Sequence, residues 1–340
     1  MKSVVIIGGG VAGIETASAL SDFGHNVVLV EKTDSIGGKV LKWDHLFPDL
    51  KSASELENYL DIKCREGNFA IQKNTTIAQA SQSNGKWMLR TDNNRVIETD
   101  AIVVATGYEV FDASRKEEYG YNIYDNVITS VDLEERLKSG KTITTRAGYL
   151  PEKIGIIHCV GSRDEKSGNH YCSKVCCITG VKQSIELHKL LPEAEIYCFY
   201  MDLRMYGQYY EELYREAQEM HKIQFIRGRL SEVSENIDKR LLIKAEDTLS
   251  GRPLKMSVDL LVLLVGMEPG KGTKSMAGIC GLETGKDGFL KTSDMHFGNN
   301  KTGKKGIFLA GSCIGPMSIN DTISNARSAA LEVHNYLQTK

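Results

Sequence analysis

Residues 2–31 read KSVVIIGGGVAGIETASALSDFGHNVVLVE, and this stretch decides the fold. A short β-branched run, Lys2 to Ile7, meets Gly8-Gly9-Gly10-Val11-Ala12-Gly13 with no intervening residue. A helical segment from Ile14 to Phe23 follows and stops at Gly24, and a second apolar strand from Asn26 to Val30 ends on Glu31. Strand, G-x-G-x-x-G, helix, strand and acid in that order form the unit that binds a dinucleotide. Gly8 permits the tight turn, Gly10 lets backbone approach a pyrophosphate, and Gly13 lets helix pack closely on strand. Val11 and Ala12 open the helix, whose free N–H groups and positive dipole end face the phosphates. Glu31 is placed to accept hydrogen bonds from a ribose diol. The plainer alternative is a glycine-rich turn with no ligand.

Composition narrows the field around this unit. The chain has 340 residues, enough for two domains of ordinary size. Its 42 basic and 44 acidic residues leave a net charge of −2, a poor match to nucleic acid. The longest apolar run, around Val258 to Met267, is about half of what a membrane-spanning helix of ~20 residues requires. The N-terminal run lacks a small-residue cleavage site and is needed as a strand, so the chain reads as cytoplasmic. In a reducing compartment, clustered cysteines point to metal or redox chemistry more than to structural bridges.

Three further marks choose between dinucleotides. Ser35-Ile36-Gly37-Gly38-Lys39 resembles the second glycine pair of the two-dinucleotide flavoproteins. Ala105-Thr106-Gly107, after the apolar strand Ala101 to Val104, resembles their A-T-G turn. Ile307 to Ser312, followed by a helix from about Ile319, resembles their C-terminal flavin segment. FAD rather than NAD is therefore expected. The resemblance extends the cofactor-binding set to Gly8, Gly10, Val11, Ala12, Gly13, Glu31, Lys32, Gly38, Lys39, Val40, Ile77, Ala105, Thr106, Gly107, Gly311, Ser312 and Ile319. Alternation between Thr75 and Glu98, with turns at Asn84-Gly85 and Asn93-Asn94, predicts a small β-meander over about 70–100.

A second β–α–β unit begins at Lys153: strand KIGIIHCV, a helix from about Cys172 to Leu191, then strand AEIYCFYM. A further strand, Asp259 to Val265, closes it, and Tyr206 to His221 reads as an amphipathic helix. In two-dinucleotide flavoproteins this unit carries a nicotinamide-binding glycine motif. Here the turn reads His158-Cys159-Val160-Gly161-Ser162-Arg163-Asp164, with a single glycine, which speaks against NAD(P)H. Half of the eight cysteines sit here instead, as Cys159-x₁₂-Cys172-x₃-Cys176-Cys177. No C-x-x-C occurs, against common zinc spacing and a thioredoxin-type dithiol. Adjacent helical side chains point about 100° apart, which suits an iron–sulfur cubane drawing ligands from a loop and a helix start better than one small ion. A helix N-terminus, with Arg163 and Lys174 nearby, offsets the cubane's negative charge. Two alternatives stay open: four buried thiols without a ligand, and a vicinal disulfide at Cys176-Cys177 working with the flavin.

Three stretches carry a family resemblance: Gly161-Ser162-Arg163-Asp164, Tyr171-Cys172-Ser173-Lys174-Val175-Cys176-Cys177, and Phe308-Leu309-Ala310-Gly311-Ser312-Cys313-Ile314-Gly315-Pro316. Together they resemble the A-type subunits of heterodisulfide reductases and their relatives, over nearly the whole chain. The resemblance implies a [4Fe–4S] cluster on Cys159, Cys172, Cys176 and Cys177 beside FAD. It implies an α/β two-dinucleotide-binding (Rossmann-like) flavoprotein fold with two βαβ domains, the second inserted in the first. Expected boundaries are 1–148 and 266–340 for the FAD domain and 149–265 for the cluster-bearing insert. The extra ferredoxin-like cysteine runs of longer members are missing, and Phe47 to Ser54 holds no thiol. That reduced form resembles the A-like subunit of the sulfur-oxidising heterodisulfide-reductase-like complex.

The implied function is electron transfer through B- and C-like partner subunits, with a thiol/disulfide couple or a sulfur or lipoyl carrier protein on the two-electron side, and a homodimer by family habit. The competing enzyme is a self-contained flavin disulfide reductase cycling Cys176 and Cys177; a third reading is a non-catalytic dinucleotide-binding scaffold. Cys64, Cys198 and Cys280 read as ordinary buried thiols, Cys313 as packed or flavin-facing, and His158 as a satisfied strand histidine or a neighbour tuning the cluster. No acid–base residue is called for by bare electron transfer.

Overall fold

The computed structural model describes residues 1–340. In chain order the main elements begin with β1 (Ser3–Ile7), α1 (Val11–Asp22), β2 (Asn26–Val30), α2 (Ala53–Glu66), β3 (Ala70–Gln72), β4 (Ile77–Ser83), β5 (Lys86–Thr91), β6 (Val96–Thr99) and β7 (Ala101–Val104). Next come β8 (Val127–Thr129), α3 (Ser130–Lys138), β9 (Lys153–Val160), α4 (Cys176–Leu190), β10 (Glu195–Tyr200), α5 (Tyr210–Glu219) and β11 (Gln224–Arg227). The chain continues with β12 (Leu230–Glu235), β13 (Leu241–Asp247), β14 (Arg252–Val258), β15 (Leu260–Val265), α6 (Lys271–Cys280), β16 (Ile307–Leu309) and α7 (Ile319–Gln338).

Two compact units divide these elements: Met1–Leu41 with Ser54–Glu109 and Glu268–Lys340, and Lys42–Ala53 with Val110–Met267. In the first, a parallel sheet runs β16-β7-β1-β2-β3. Val4 to Ile7 and all of β7 are buried, the continuous apolar pattern of strands covered on both faces. Strands β4, β5 and β6 form the antiparallel meander expected there. Glu15 on α1, almost fully buried, accepts from Arg327 of α7 at 2.6 Å and Tyr59 of α2 at 3.0 Å, tying three helices together.

The second unit repeats the scheme: a parallel sheet β8-β15-β9-β10-β11 and an antiparallel sheet β12-β13-β14. Ile154 and Ile156 of β9 pack with Ile178, Val181 and Ile185 of α4 on one face. Ile157, Phe199, Leu261 and Leu263 pack with Val233 and Ile243 of the antiparallel sheet on the other.

Three sequence expectations need correction. The break expected at 148/149 lies at Glu109/Val110, because β8 pairs with β15 (Val127 opposite Leu261) and carries its segment into the second sheet. Residues 42–53 join that unit too, and the return falls after Met267 rather than 265. The helix expected from Cys172 starts at Cys176: Lys174 adopts a left-handed φ of 60°, and the Ser173 hydroxyl accepts from the Met267 N–H, holding the chain in a loop. Likewise Tyr209, at φ 66°, delays α5 to Tyr210. No helix is long and apolar enough to cross a membrane.

Candidate functional site

In the first unit the separate glycine marks converge around the start of α1. Gly8 has φ 116°, and a Cβ there would lie 2.3 Å from the Ala105 carbonyl oxygen. A Cβ on Gly13 would lie 1.8 Å from the Gly8 carbonyl oxygen, so helix and strand approach as only glycine permits. Gly10, by contrast, has open space: a Cβ would meet only Gly38, at 4.0 Å. Gly37 closes onto the turn by donating to the Gly9 carbonyl at 2.8 Å. No side chain caps α1 and no acid sits in its first turn, leaving the N–H groups around Val11 and Ala12 to an anion.

Glu31 is fixed at the edge of this turn. Gly9 N–H donates to its Oε2 at 2.6 Å, and Thr33 donates to Oε1 from backbone and hydroxyl at 2.9 and 2.8 Å. Lys32 beyond it is exposed. Gly311, at φ 70°, packs on Ala12 so tightly that a Cβ would come within 2.5 Å, and its N–H donates to Asn325. Ser312 is buried beside it, and Ser318 caps α7 just before Ile319. Thr106 Oγ1 lies 2.8 Å from Thr273 Oγ1, which donates to the Gly107 carbonyl at 3.0 Å. The Lys39 ammonium stands 5.2 Å from the Tyr108 ring centroid. Ile77 packs in the core with Val30 and Ile7, and Val40 is buried. Cys313 is wholly buried, its thiol donating to the Val104 carbonyl at 3.2 Å and pushed up to about 12 by burial.

In the second unit the four cysteines come together. Cys159, at φ 61°, interrupts the end of β9, whose register with β15 shifts between Ile157 and Val160. Cys172 lies in the loop before α4, and Cys176 and Cys177 are its first residues. A hydrogen bond with Cys176 is the largest influence drawing the Cys159 thiol down to about 7, helped by Arg163 and Arg204. The same contact raises Cys176 well above its ordinary value, followed by burial and by the charges of Cys159, Cys177 and Cys172. Burial, then the neighbouring thiols, pushes Cys177 up to about 11. All four are free thiols. Lys174 N–H donates to Cys172 Sγ at 3.3 Å, and Cys177 Sγ donates to the Asp202 carbonyl at 3.5 Å.

The loop carrying Cys172 is braced from several sides. Asp164 accepts from buried Lys116 at 2.8 Å and from Arg229 at 2.9 Å. Asn169 donates to the Gly161 carbonyl, Tyr171 to the Met267 carbonyl, and Arg163 N–H to the Tyr171 carbonyl, each at 2.9 Å. Gly161 is required there: at φ 73°, a Cβ would collide with the Phe111 ring at 2.0 Å. Four thiols, guanidinium groups at their edge and an uncapped helix start make a donor set that fits a cysteine-ligated iron–sulfur cluster.

His158 departs from the satisfied strand histidine. Both ring nitrogens lack partners, and burial alone holds it down at about 4, a neutral ring against Gly180 of α4. One constellation escaped sequence reasoning. His45 Nδ1 lies 3.0 Å from both Asp44 and Glu186, while buried Lys182 reaches Glu134 at 2.5 Å, Glu186 at 3.2 Å and the His45 carbonyl at 3.0 Å. Burial, foremost, pushes the Glu186 carboxyl up to about 7. These groups are scattered over a long sequence span, and no local spacing announces them.

Residues 1–136 match the pyridine nucleotide-disulphide oxidoreductase family. Along 98% of its length the chain is 34% identical to the iron-sulfur A-type subunit of CoB–CoM heterodisulfide reductase from Methanocaldococcus jannaschii. The first of two such A-type subunits from Methanopyrus kandleri is 33% identical over 97% of the chain. Along nearly its whole length the chain is thus similar to the A-type subunits of heterodisulfide reductases. It spans 64% and 63% of the length of those two relatives. Among solved structures, Lactococcus lactis thioredoxin reductase superposes with a TM-score of 0.68 at 16% identity, covering all of both chains. Bacillithiol disulfide reductase from Bacillus cereus gives 0.63 at 15% identity, covering 100% of this chain and 99% of its own. The fold is thus the α/β fold of these flavin-type oxidoreductases, as the sequence expects.

Proposed function

We propose that this chain is the electron-transfer member of a heterodisulfide-reductase-like complex, with FAD in its first unit and one [4Fe–4S] cluster in its second. The observation that carries the reading is the gathering of Cys159, Cys172, Cys176 and Cys177 where the related fold has a nucleotide turn. The name of the M. jannaschii relative, which calls it an iron-sulfur protein, supports it. Bound, FAD exchanges electrons in pairs and the cluster one at a time, so the two together link a thiol/disulfide couple to a one-electron chain.

The protein's own residues bind, orient and exclude water. Gly8, Gly10, Val11, Ala12 and Gly13 offer backbone N–H groups and closeness to a pyrophosphate, and Glu31 with Lys32 borders the ribose. Gly38, Lys39, Val40, Ile77, Ala105, Thr106, Gly107, Gly311, Ser312 and Ile319 line the rest of the flavin site. The thiols of the second unit are nearly all buried, which keeps water from a cluster. The partners are B- and C-like subunits, a sulfur or lipoyl carrier on the two-electron side, and a second copy of the chain. The setting proposed is the A-like position of a sulfur-oxidising complex, in the cytoplasm, where thiols stay reduced.

A self-contained disulfide reductase cycling Cys176 and Cys177 is disfavoured. Both thiols are buried and raised, the opposite of an accessible attacking thiolate. Anaerobic reductive titration separates the readings. The proposal predicts about three electron equivalents per chain, two for the flavin and one for the cluster. About four equivalents without iron would establish a flavin–dithiol enzyme instead.

A further inference from the structure

Arg163 has surroundings that packing does not explain. It sits on the turn after Cys159 with a left-handed φ of 54°, held by its N–H bond to the Tyr171 carbonyl and by the clamped Asp164 beside it. One terminal nitrogen, Nη2, donates to Asp202 Oδ2 at 2.6 Å. The other, Nη1, is buried without a partner. A buried donor left unpaired is costly, so a fold that keeps one has an acceptor in store for it. The nearby candidates are the thiols: the guanidinium interacts with Cys159 and Cys172, and it acts on Cys177 as well.

The balance of charge points the same way. Asp202 is shared by two guanidinium groups, Arg163 at 2.6 Å and Arg227 at 3.4 Å, leaving one positive charge uncompensated. The Asp202 carbonyl oxygen lies 3.5 Å from Cys177 Sγ, so the residue that holds the guanidinium also sits beside a cysteine. We infer that Arg163, clamped by Asp202 beside Cys159, Cys172 and Cys177, is the charge-balancing donor of the cluster and raises its reduction potential. The inference rests on the cluster reading above. Reduction adds a negative charge to a group already anionic through its four thiolates, and a fixed cation nearby favours the reduced form. Only a planar fork can hold Asp202 with one nitrogen and offer a second donor in a fixed direction; lysine supplies a point charge alone.

The test is a redox titration of the full chain, followed by electron paramagnetic resonance, for wild type, Arg163→Gln and Arg163→Lys, with iron and sulfide counted in each. Arg163→Gln is expected to keep its iron and to show at least a tenfold weaker one-electron reduction equilibrium, about 59 mV lower. Arg163→Lys is expected to fall between. Arginine labelled with ¹⁵N should give a hyperfine coupling to the reduced cluster that disappears in Arg163→Gln, which a purely structural role would not produce. A fully loaded Arg163→Gln protein with the wild-type potential overturns the inference. If that variant loses iron, Arg163→Lys decides: a lowered potential supports it, while a wild-type potential, or iron lost here too, overturns it. Wild type without iron would refute the cluster reading itself, a separate outcome.

Discussion

The two parallel sheets of this protein use one strand–turn–helix device in two chemically opposite ways. In the first unit, residues 8–10 join β1 to α1, and glycine brings backbone against whatever binds. In the second, residues 161–175 join β9 to α4, and the long connection delivers cysteine, arginine and aspartate side chains to the helix start. Both helix starts lack a capping side chain, so both keep N–H groups and a positive dipole end available. A helix N-terminus favours negative charge as such; on the proposed reading, the loop in front selects a pyrophosphate in the first unit and an iron–sulfur cluster in the second.

The contrast breaks most decisively at the cysteines. Cys176→Ser removes one of the four proposed ligands and is expected to cut iron from about four per chain to three or fewer while the flavin stays bound. Equal loss of flavin and iron would mean that the two sites do not differ as described. Next in size is Gly13→Ala, whose methyl would press on the Gly8 carbonyl. Overpacking of this kind costs about 1–3 kcal/mol, and flavin should dissociate more readily while the iron content is unaffected. Unchanged melting temperature and flavin retention would argue against close packing at this turn.

A pH-dependent effect belongs to Glu186. Its folded carboxyl, raised to about 7 from 4.5 chiefly by burial, binds a proton that the unfolded chain releases. The associated stability is complete below about 4.5 and is lost as pH rises through about 7. Glu186→Gln cannot ionise, so its stability relative to wild type should climb across that window and level off above it. Parallel denaturation profiles for the two proteins from pH 4.5 to 8 would contradict the assignment.

What the sequence revealed tracks how local the physics is. The β1–α1–β2 unit was legible because glycines, apolar strands and Glu31 lie within one continuous stretch. The cysteine motif was legible for the same reason, although the start of α4 was not: Ser173 is held by Met267, far along the chain. The domain break was hidden because β8 owes its place to pairing with β15. The antiparallel sheet of residues 230–258 escaped notice despite alternating strands such as Leu230–Glu235. Lys182, Glu134 and His45 meet only once the second unit has closed, so nothing short of the fold could assemble them.

On the proposed reading, thiolates and metal occupy the second helix start in place of a nucleotide. Chemical analysis of wild-type protein prepared without oxygen tests it most directly, counting iron and acid-labile sulfide against flavin. About four irons and four sulfides for each FAD, in a brown-yellow protein that NADH fails to bleach, is the predicted result. A purely yellow protein without sulfide, reduced at once by NADH, would contradict it.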